Sequence, residues 1–409
     1  MKITELEILK VPPSWVWLKL HTDEGVYGLG EPYLEGFPDS VIAEVRRLEP
    51  VLIGQDPRRV EALWDAMYRV SGYRGGAVTM SAISGIDIAL WDVAGKLAGL
   101  PIHNMLGGPV RDRIKMYHST GAAPAHHVEP GLPYRNGGED GAGRAGRADG
   151  HRRGQQSRGV PADYAGAARD LVQNWGFRAL KAHLGAGEEL GGIDRVDTII
   201  ERFAAVKEGA GPGVDVAIDI HNPHPTVGAQ LIRELAPLRP LFIEEPMPVE
   251  RVDVLEQLIR QSGTTAPIAA GERWMGKWIF FDALSRGLLA VVQPDICHAG
   301  GITECRKIAA IAEAAYAQVA LHCPLSPISI AASIQLDAAI PNFLVQEHNE
   351  VNTRLVDGRT LIGAGYLKDP FVLGEDGCVA VPTGPGLGIE IDEAGLERIM
   401  QKEWSVKRG

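Results

Sequence analysis

Short apolar runs, each closing on a polar and mostly ionisable residue, recur along the later part of the chain. They lie at 214–219, 241–244, 267–272, 290–295, 318–323 and 343–347, and segments rich in Ala, Leu and Ile, such as 303–317, separate them. Strand-then-helix repetition implies a parallel sheet. This many units in succession favours closure into a barrel over an open sheet. Ahead of about residue 112 the pattern is different. Runs at 2–9 and 15–21 read as strands, interrupted by Pro12-Pro13, and Asp23-Glu24-Gly25 has turn chemistry. Helical patterns follow at about 40–52, 59–70 and 80–98. In the last, Met80, Ile83, Ile86, Leu90 and Val93 share one face.

These patterns divide the chain into an α+β region at 1–112, a barrel at 113–370 and a closing segment at 371–409 expected to pack back on the first region. Residues 124–161 do not fit the alternation, because they are rich in Gly and Arg and poor in apolar residues. They read as a flexible insertion after the first barrel strand, or as a lid, since loops following barrel strands lie on the catalytic face. The stretch Pro382 to Gly388 is a glycine–proline loop with no following helix suited to phosphates, so it reads as structural.

Composition narrows the partners. The 409 residues are 45% hydrophobic and 23% charged, as in ordinary globular chains. The net charge of -11 and a pI near 5.6 supply no basic field for nucleic acid or an anionic membrane. The N-terminus lacks a signal-peptide layout, and no apolar run reaches the roughly 20 residues that span a bilayer. Cys297, Cys305, Cys323 and Cys378 show no CxxC spacing and are expected to be reduced and buried, in a cytoplasmic protein.

The candidate chemistry lies at the ends of the apolar runs. Asp219, Glu244, Glu272, Asp295, His322 and Glu347 stand 25, 28, 23, 27 and 25 residues apart, each about one strand–helix unit. Strand ends converge on the C-terminal mouth of a barrel. So many carboxylates gathered there would repel one another and lose solvation, and a bound cation removes that cost. Asp219, Glu244 and Glu272 offer three oxygen ligands and no thiolate, which favours Mg²⁺, with Mn²⁺ a substitute, over Zn²⁺. His322 would serve as a base, with Asp295 on the preceding strand to orient it. His221, two residues after Asp219, shares its face if the strand continues that far. Two histidines facing one bound acid allow proton removal by one and leaving-group protonation by the other, which is elimination chemistry.

With these residues in view the chain resembles the enolase superfamily and, within it, the mandelate racemase subgroup. The likeness is greatest to the galactonate dehydratases. It covers nearly the whole chain apart from 124–161. It is carried by Leu52-Ile53-Gly54-Gln55-Asp56-Pro57, Tyr73-Arg74-Gly75-Gly76, Met80-Ser81-Ala82-Ile83 and Ala89-Leu90-Trp91-Asp92 in the first region. In the barrel it is carried by Leu241-Phe242-Ile243-Glu244-Glu245-Pro246, Ala270-Gly271-Glu272-Arg273, Gln293-Pro294-Asp295, His298-Ala299-Gly300-Gly301-Ile302-Thr303-Glu304-Cys305 and His322-Cys323-Pro324-Leu325.

The resemblance implies a modified TIM barrel of the (β/α)7β kind with an N-terminal capping domain. It implies Mg²⁺ on Asp219, Glu244 and Glu272, and His322 with Asp295 as the base that takes the C2 proton. His221 would be the acid that helps expel the C3 hydroxyl, and Glu347 the acid that hydrogen-bonds the enediolate. It also implies a homo-oligomer, and an acid sugar dehydrated to a 2-keto-3-deoxy acid. Capping domains of such proteins contribute to substrate selection, so Trp15, Trp17 and Tyr73 line the pocket or simply pack. Lys181 matches a lysine of the second-strand motif. There are departures: His183 stands where asparagine or a catalytic lysine is usual, and Asn222-Pro223-His224-Pro225 replaces a Gly-Arg pair. Both bear on which sugar is taken. Racemisation or epimerisation of a 2-hydroxy acid, dehydration of another aldonate or aldarate, and binding of a sugar acid without catalysis are the competing readings.

Overall fold

A computed structural model describes residues 1–70, 72–120, 161–184, 193–248, 250–348, 351 and 353–406. The glycine- and arginine-rich insertion lies outside the described residues, except for Pro161.

The first region opens with a hairpin of β1 (Ile3–Val11) and β2 (Trp15–Thr22), to which β3 (Tyr27–Gly30) adds antiparallel. A cis Pro12–Pro13 bond sits at the hairpin tip. Helices α1 (Pro38–Leu52) and α3 (Ala77–Ala98) pack on this sheet, α2 (Val60–Arg69) packs against those two helices, and the short α4 (Ile102–Met105) follows. Pro38 begins α1 because its missing N–H costs nothing in the first turn. Gly99 ends α3 in the left-handed conformation, with φ 66°. α3 is long and apolar enough to span a bilayer by composition, but 78% of that window is buried inside the protein, so its apolar character is spent on the core. β3 lies unusually close to α3. A Cβ on Gly30 would come 1.9 Å from the Gly85 carbonyl oxygen, so only glycine permits this approach.

The barrel follows as β4 (Arg113–Thr120), α5 (Pro161–Gln173), β5 (Ala179–His183), α6 (Ile193–Ala210), β6 (Asp215–Asp219), α7 (Pro225–Leu235), β7 (Ile243–Glu244) and α8 (Val252–Ser262). It continues with β8 (Ile268–Ala270), α9 (Lys277–Ser285), β9 (Val291–Val292), α10 (Gly301–Ala314), β10 (Gln318–Val319), α11 (Pro327–Ala339) and β11 (Gln346–His348). Neighbouring strands pair in parallel from β4 through β10. β11 returns to pair with β4, and Val319 bridges Phe343 just ahead of β11, so the ring closes. Seven strand–helix units and a final strand make the (β/α)7β barrel that was expected.

β12 (Thr353–Val356), β13 (Arg359–Ile362) and β14 (Phe371–Val372) form a small antiparallel sheet, and β15 (Cys378–Ala380) pairs antiparallel with β4. α12 (Glu393–Met400) closes the chain. The closing segment packs back on the first region. The small sheet straddles residue 370, and α12 carries its buried Leu396 and Ile399 into the core. Leu387 N–H donates to Asp92 (2.8 Å), and Trp404 Nε1 donates to the Trp15 carbonyl (2.9 Å).

Candidate active site and metal centre

The barrel interior is built in layers. Tyr117, Ala179, Ala217, Phe242, Ala269, Val291, Ala320 and Val345 form one buried cluster, one residue from each strand of the ring or the residue next to it. Tyr117 and Phe242 meet edge to face at 6.4 Å and fill the space that four alanines leave. Side chains on one face of a strand recur every second residue. Two positions further along each strand therefore come Ser119, Lys181, Asp219, Glu244, Gly271, Gln293, His322 and Glu347. The sequence places an apolar floor and then, one layer up, a ring dominated by ionisable groups. Glu272 and Asp295 come from just beyond.

Asp219, Glu244 and Glu272 each present a carboxylate oxygen within 4.8 Å of the others, and all three are buried. Burial raises the Glu244 carboxyl above its ordinary range. Burial, with Glu244 and Asp219 alongside, raises Glu272 further. Burial works in the same direction on Asp219, but His183 and Lys181 outweigh it and hold that carboxyl below its ordinary value. The His183 Nδ1 lies 2.9 Å from Asp219. Three carboxylates packed out of water, two of them pushed towards protonation, fit a hard divalent cation, which replaces the lost solvation. An overlapping set of His221, Glu245 and Glu272 is equally close. Arg273 pairs with both Glu245 and Glu272, so ion pairing does not separate the two sets. The first offers three carboxylates where the second offers two and an imidazole, and an all-oxygen set suits a hard cation better.

Lys181 and Glu347 lie beside this cluster. The Lys181 ammonium is 2.9 Å from Glu244 and 2.9 Å from Glu347. Burial opposes its charge, but those two carboxylates raise its pKa well above the ordinary value. Glu347 also accepts the Cys323 N–H at 3.0 Å. Burial would raise Glu347, and Lys181 and His322 bring it below its ordinary value, so the proton of the pair sits on Lys181.

His322 and Asp295 are joined as expected. Their backbones form a parallel bridge, and His322 Nδ1 is 2.7 Å from Asp295 Oδ2. The Asp295 Oδ1 accepts the Cys297 N–H at 2.6 Å, so the carboxylate is fixed from both sides. His322 Nε2 points to Glu272, 3.4 Å away. His221 reaches the site by a different route from strand alternation. β6 ends at Asp219, and His221 and Asn222 turn with φ 51° and 58°. The His221 N–H donates to Asp219 (2.9 Å), and its ring meets His183 edge to face at 4.9 Å. Burial pushes its pKa down to about 4, helped by His183 and Arg273, and Arg273 touches its Nε2. β6 and β10 are four strands apart in a ring of eight, so His221 and His322 follow from strands on opposite sides of the mouth.

Of the three aromatic pocket candidates, one is exposed and two are buried in the core. Tyr73 is 91% exposed and does not line an enclosed pocket, because its glycine-rich surroundings leave it on the surface ahead of α3. Trp15 is buried in the core against Tyr33 at 6.4 Å, and Trp17 donates to Ser326 at 2.9 Å. Sequence reasoning gave no role to Glu31, Glu35, Arg273 or His298. Glu31 accepts from Ser326 N, Ser326 Oγ and Ser329 N at the start of α11, the helix after His322. Its signal was a carboxylate at the end of an apolar strand, in Gly28-Leu29-Gly30-Glu31.

A capped (β/α)7β barrel with a three-carboxylate cluster and a histidine–aspartate pair at its mouth defines a class of metal-assisted enzymes that act on carboxylate substrates. The chain belongs to the mandelate racemase/muconate lactonizing enzyme family of the enolase superfamily. Residues 11–107 match that family's N-terminal domain, and residues 163–395 match the enolase C-terminal domain-like family. It is 41% identical over 398 residues to the D-galactonate dehydratase of Ralstonia nicotianae, covering 96% of this chain and 93% of that one. It is 39% identical over 397 residues to that of Pectobacterium atrosepticum, covering 96% and 93%. A crystal structure of an enolase from Agrobacterium radiobacter with Na and L-malate bound superimposes with a TM-score of 0.81 at 29% identity, covering 99% of this chain and 96% of that one. An enolase-superfamily member from Salmonella Typhimurium gives 0.80 at 30%, covering 97% and 98%.

Proposed function

We propose that the protein dehydrates an acid sugar, D-galactonate foremost, to a 2-keto-3-deoxy acid. The observation that carries this reading is the pair of histidines set across the mouth, His322 and His221, each beside the carboxylate of Glu272. The relatives named D-galactonate dehydratase point to the same reaction.

His322 Nε2 takes the proton from C2, while Asp295 on Nδ1 fixes the tautomer and supports the imidazolium that results. The electron pair left at C2 spreads onto the substrate carboxylate as an enediolate. It then returns to form the C2–C3 double bond as the C3 hydroxyl departs with a proton from His221, giving water. The enol so formed becomes the 2-keto acid. Mg²⁺ held by Asp219, Glu244 and Glu272 would supply positive charge to the substrate carboxylate as it gains negative charge. Glu347 is expected as the acid that hydrogen-bonds the enediolate, but Lys181 holds its carboxyl below the ordinary range, so the hydrogen bond to that charge comes from the Lys181 ammonium beside it. Burial leaves the His221 ring neutral as it stands, so to deliver a proton it must first gain one as the mouth is occupied and Arg273, 37% exposed, withdraws from Nε2.

Lys181 is held between Glu244 and Glu347, and His183 is engaged by Asp219. Neither is free to act as the second base that racemisation requires. We place the enzyme in the cytoplasm, a setting that four unpaired cysteines suit. Assembly as a homo-oligomer rests on the family resemblance alone. The deciding experiment incubates the purified protein and Mg²⁺ with a stereochemically complete set of aldonic and aldaric acids and reads 2-keto-3-deoxy products. D-Galactonate is expected to give the strongest turnover. Loss of C2 configuration without keto-acid formation would make the enzyme an epimerase instead.

A further inference from the structure

One buried histidine lies against the candidate base pair with no part in the chemistry above. His298 follows Asp295 by three residues, in a turn where its N–H donates to the Asp295 carbonyl at 3.0 Å. That turn brings its ring back over the carboxylate. His298 Nε2 lies 3.7 Å from Asp295 Oδ2, the same oxygen that holds His322 Nδ1 at 2.7 Å. A second carboxylate, Glu35, approaches Nε2 at 3.4 Å, and Ser81 Oγ lies 3.1 Å from Nδ1. Glu35 and Ser81 come from the first region of the chain, ahead of α1 and inside α3. The ring is 3% exposed and touches none of the three carboxylates of the metal cluster.

We propose that His298 is a positioning residue. Hydrogen-bonded to Ser81 through Nδ1 and facing Glu35 and Asp295 at ion-pair distance through Nε2, it holds the Asp295 carboxylate in place and so sets the orientation of His322. The geometry dictates the logic. A ring nitrogen facing two carboxylates out of water must carry a proton, because an imidazole lone pair there would repel both. Burial opposes the charged ring, but Asp295 and Glu35 outweigh it and lift its pKa to about 9. The charged ring in turn gives the buried Asp295 carboxylate a positive neighbour on the same Oδ2 that faces His322. In that role the first region contributes to proton removal as well as covering the mouth. This inference rests on His322 acting as the base, as proposed above.

The test uses the full-length protein with ¹⁵N-labelled histidine and three variants, His298→Asn, Glu35→Gln and Ser81→Ala. The His322 Nδ1–H resonance reads the hydrogen bond to Asp295 directly and needs no turnover. It is expected to shift or broaden in His298→Asn, and in the same direction but less in Glu35→Gln and Ser81→Ala. On a turned-over acid sugar, kcat is expected to fall about 10–100-fold in His298→Asn, with KM within about threefold and Mg²⁺ binding by calorimetry unchanged. The double variant His298→Asn/Glu35→Gln should be no worse than His298→Asn alone, because the two act through one contact. A His322 resonance at its wild-type position in folded His298→Asn would overturn the proposal. So would independent, additive losses from the two substitutions. If His298→Asn does not fold, Glu35→Gln and Ser81→Ala, which leave the ring in place, decide by the same resonance. Wild-type protein that turns over no acid sugar would overturn the dehydratase reading and leave the resonance to judge the clamp.

Discussion

The ammonium of Lys181 on β5 lies 2.9 Å from the carboxylate of Glu347 on β11, reaching past the intervening strand β4. The same nitrogen is 2.9 Å from Glu244, so one buried cation links two acids from separate strands. Removing one member of a buried ionic group strands the others. Lys181→Met is therefore expected to cost about 3–5 kcal/mol of folding stability. Urea denaturation of wild type and variant measures this, and a loss near zero would mean that water already reaches these carboxylates.

The Asp219, Glu244 and Glu272 cluster predicts a chelator-sensitive enzyme. EDTA should abolish turnover and Mg²⁺ should restore it. Because the ion binds the folded state, Mg²⁺ at 100 times its Kd should also stabilise by about 2.7 kcal/mol, seen as a rise in Tm. Asp219→Asn should lose both effects together. Activity indifferent to chelation would show that the cluster is not the metal centre.

The two histidines are separable by isotope exchange. His322→Asn should stop both dehydration and exchange of the C2 proton with D₂O, with a loss of about 10²–10⁴-fold. His221→Asn should retain the exchange and lose the keto acid. Proton NMR of the substrate follows the first process and a keto-acid assay the second. Dehydration that survives His221→Asn would remove that residue from the leaving-group step.

Glu31 gives a pH dependence with a defined sign. Burial outweighs the hydrogen bonds from Ser326 and Ser329 and raises its pKa from 4.5 to about 8. Between those values the folded protein keeps a proton that the unfolded chain has released, so stability declines as pH rises through this window. Below it both states are protonated and the full contribution is present. Asp87, raised by burial to about 7, adds to the same decline. Tm followed from about pH 4.5 to 8 should fall in wild type and fall less steeply in Glu31→Gln. An unchanged slope would mean that the carboxyl titrates normally.

The strand ends were legible because barrel strands repeat a simple rule. The run at 214–219 must bury Val216 and Ile218 on one face and Ala217 on the other, and it ends at Asp219, where the strand gives way to the mouth of the barrel. The same rule located Glu244, Glu272, Asp295, His322 and Glu347. It did not find His298 or Glu35, because their roles depend on a turn folding back and on a contact between distant stretches of chain. It reached His221 by a wrong path, since positive φ at two non-glycine residues leaves no periodic trace. The β12–β13 hairpin did leave a signal. Asp357-Gly358 takes φ 50° and 73°, the two-residue turn that Asp-Gly favours. The exposure of Tyr73 was invisible to motif resemblance, which records which residues recur and not which way they face.

The floor beneath the site constrains how this enzyme could be given new substrates. Tyr117 lies 5.4 Å below the Lys181 ammonium and meets Phe242 edge to face, within a layer otherwise made of alanine and valine. Deepening the cavity from below would leave a void under the charged ring, and raising the floor by enlarging an alanine would push Lys181 against its two acids. Directed evolution towards longer or bulkier acids should therefore draw its successful variants from the rim, where the chain can shift without moving the proton-transfer apparatus, and leave the eight floor positions untouched.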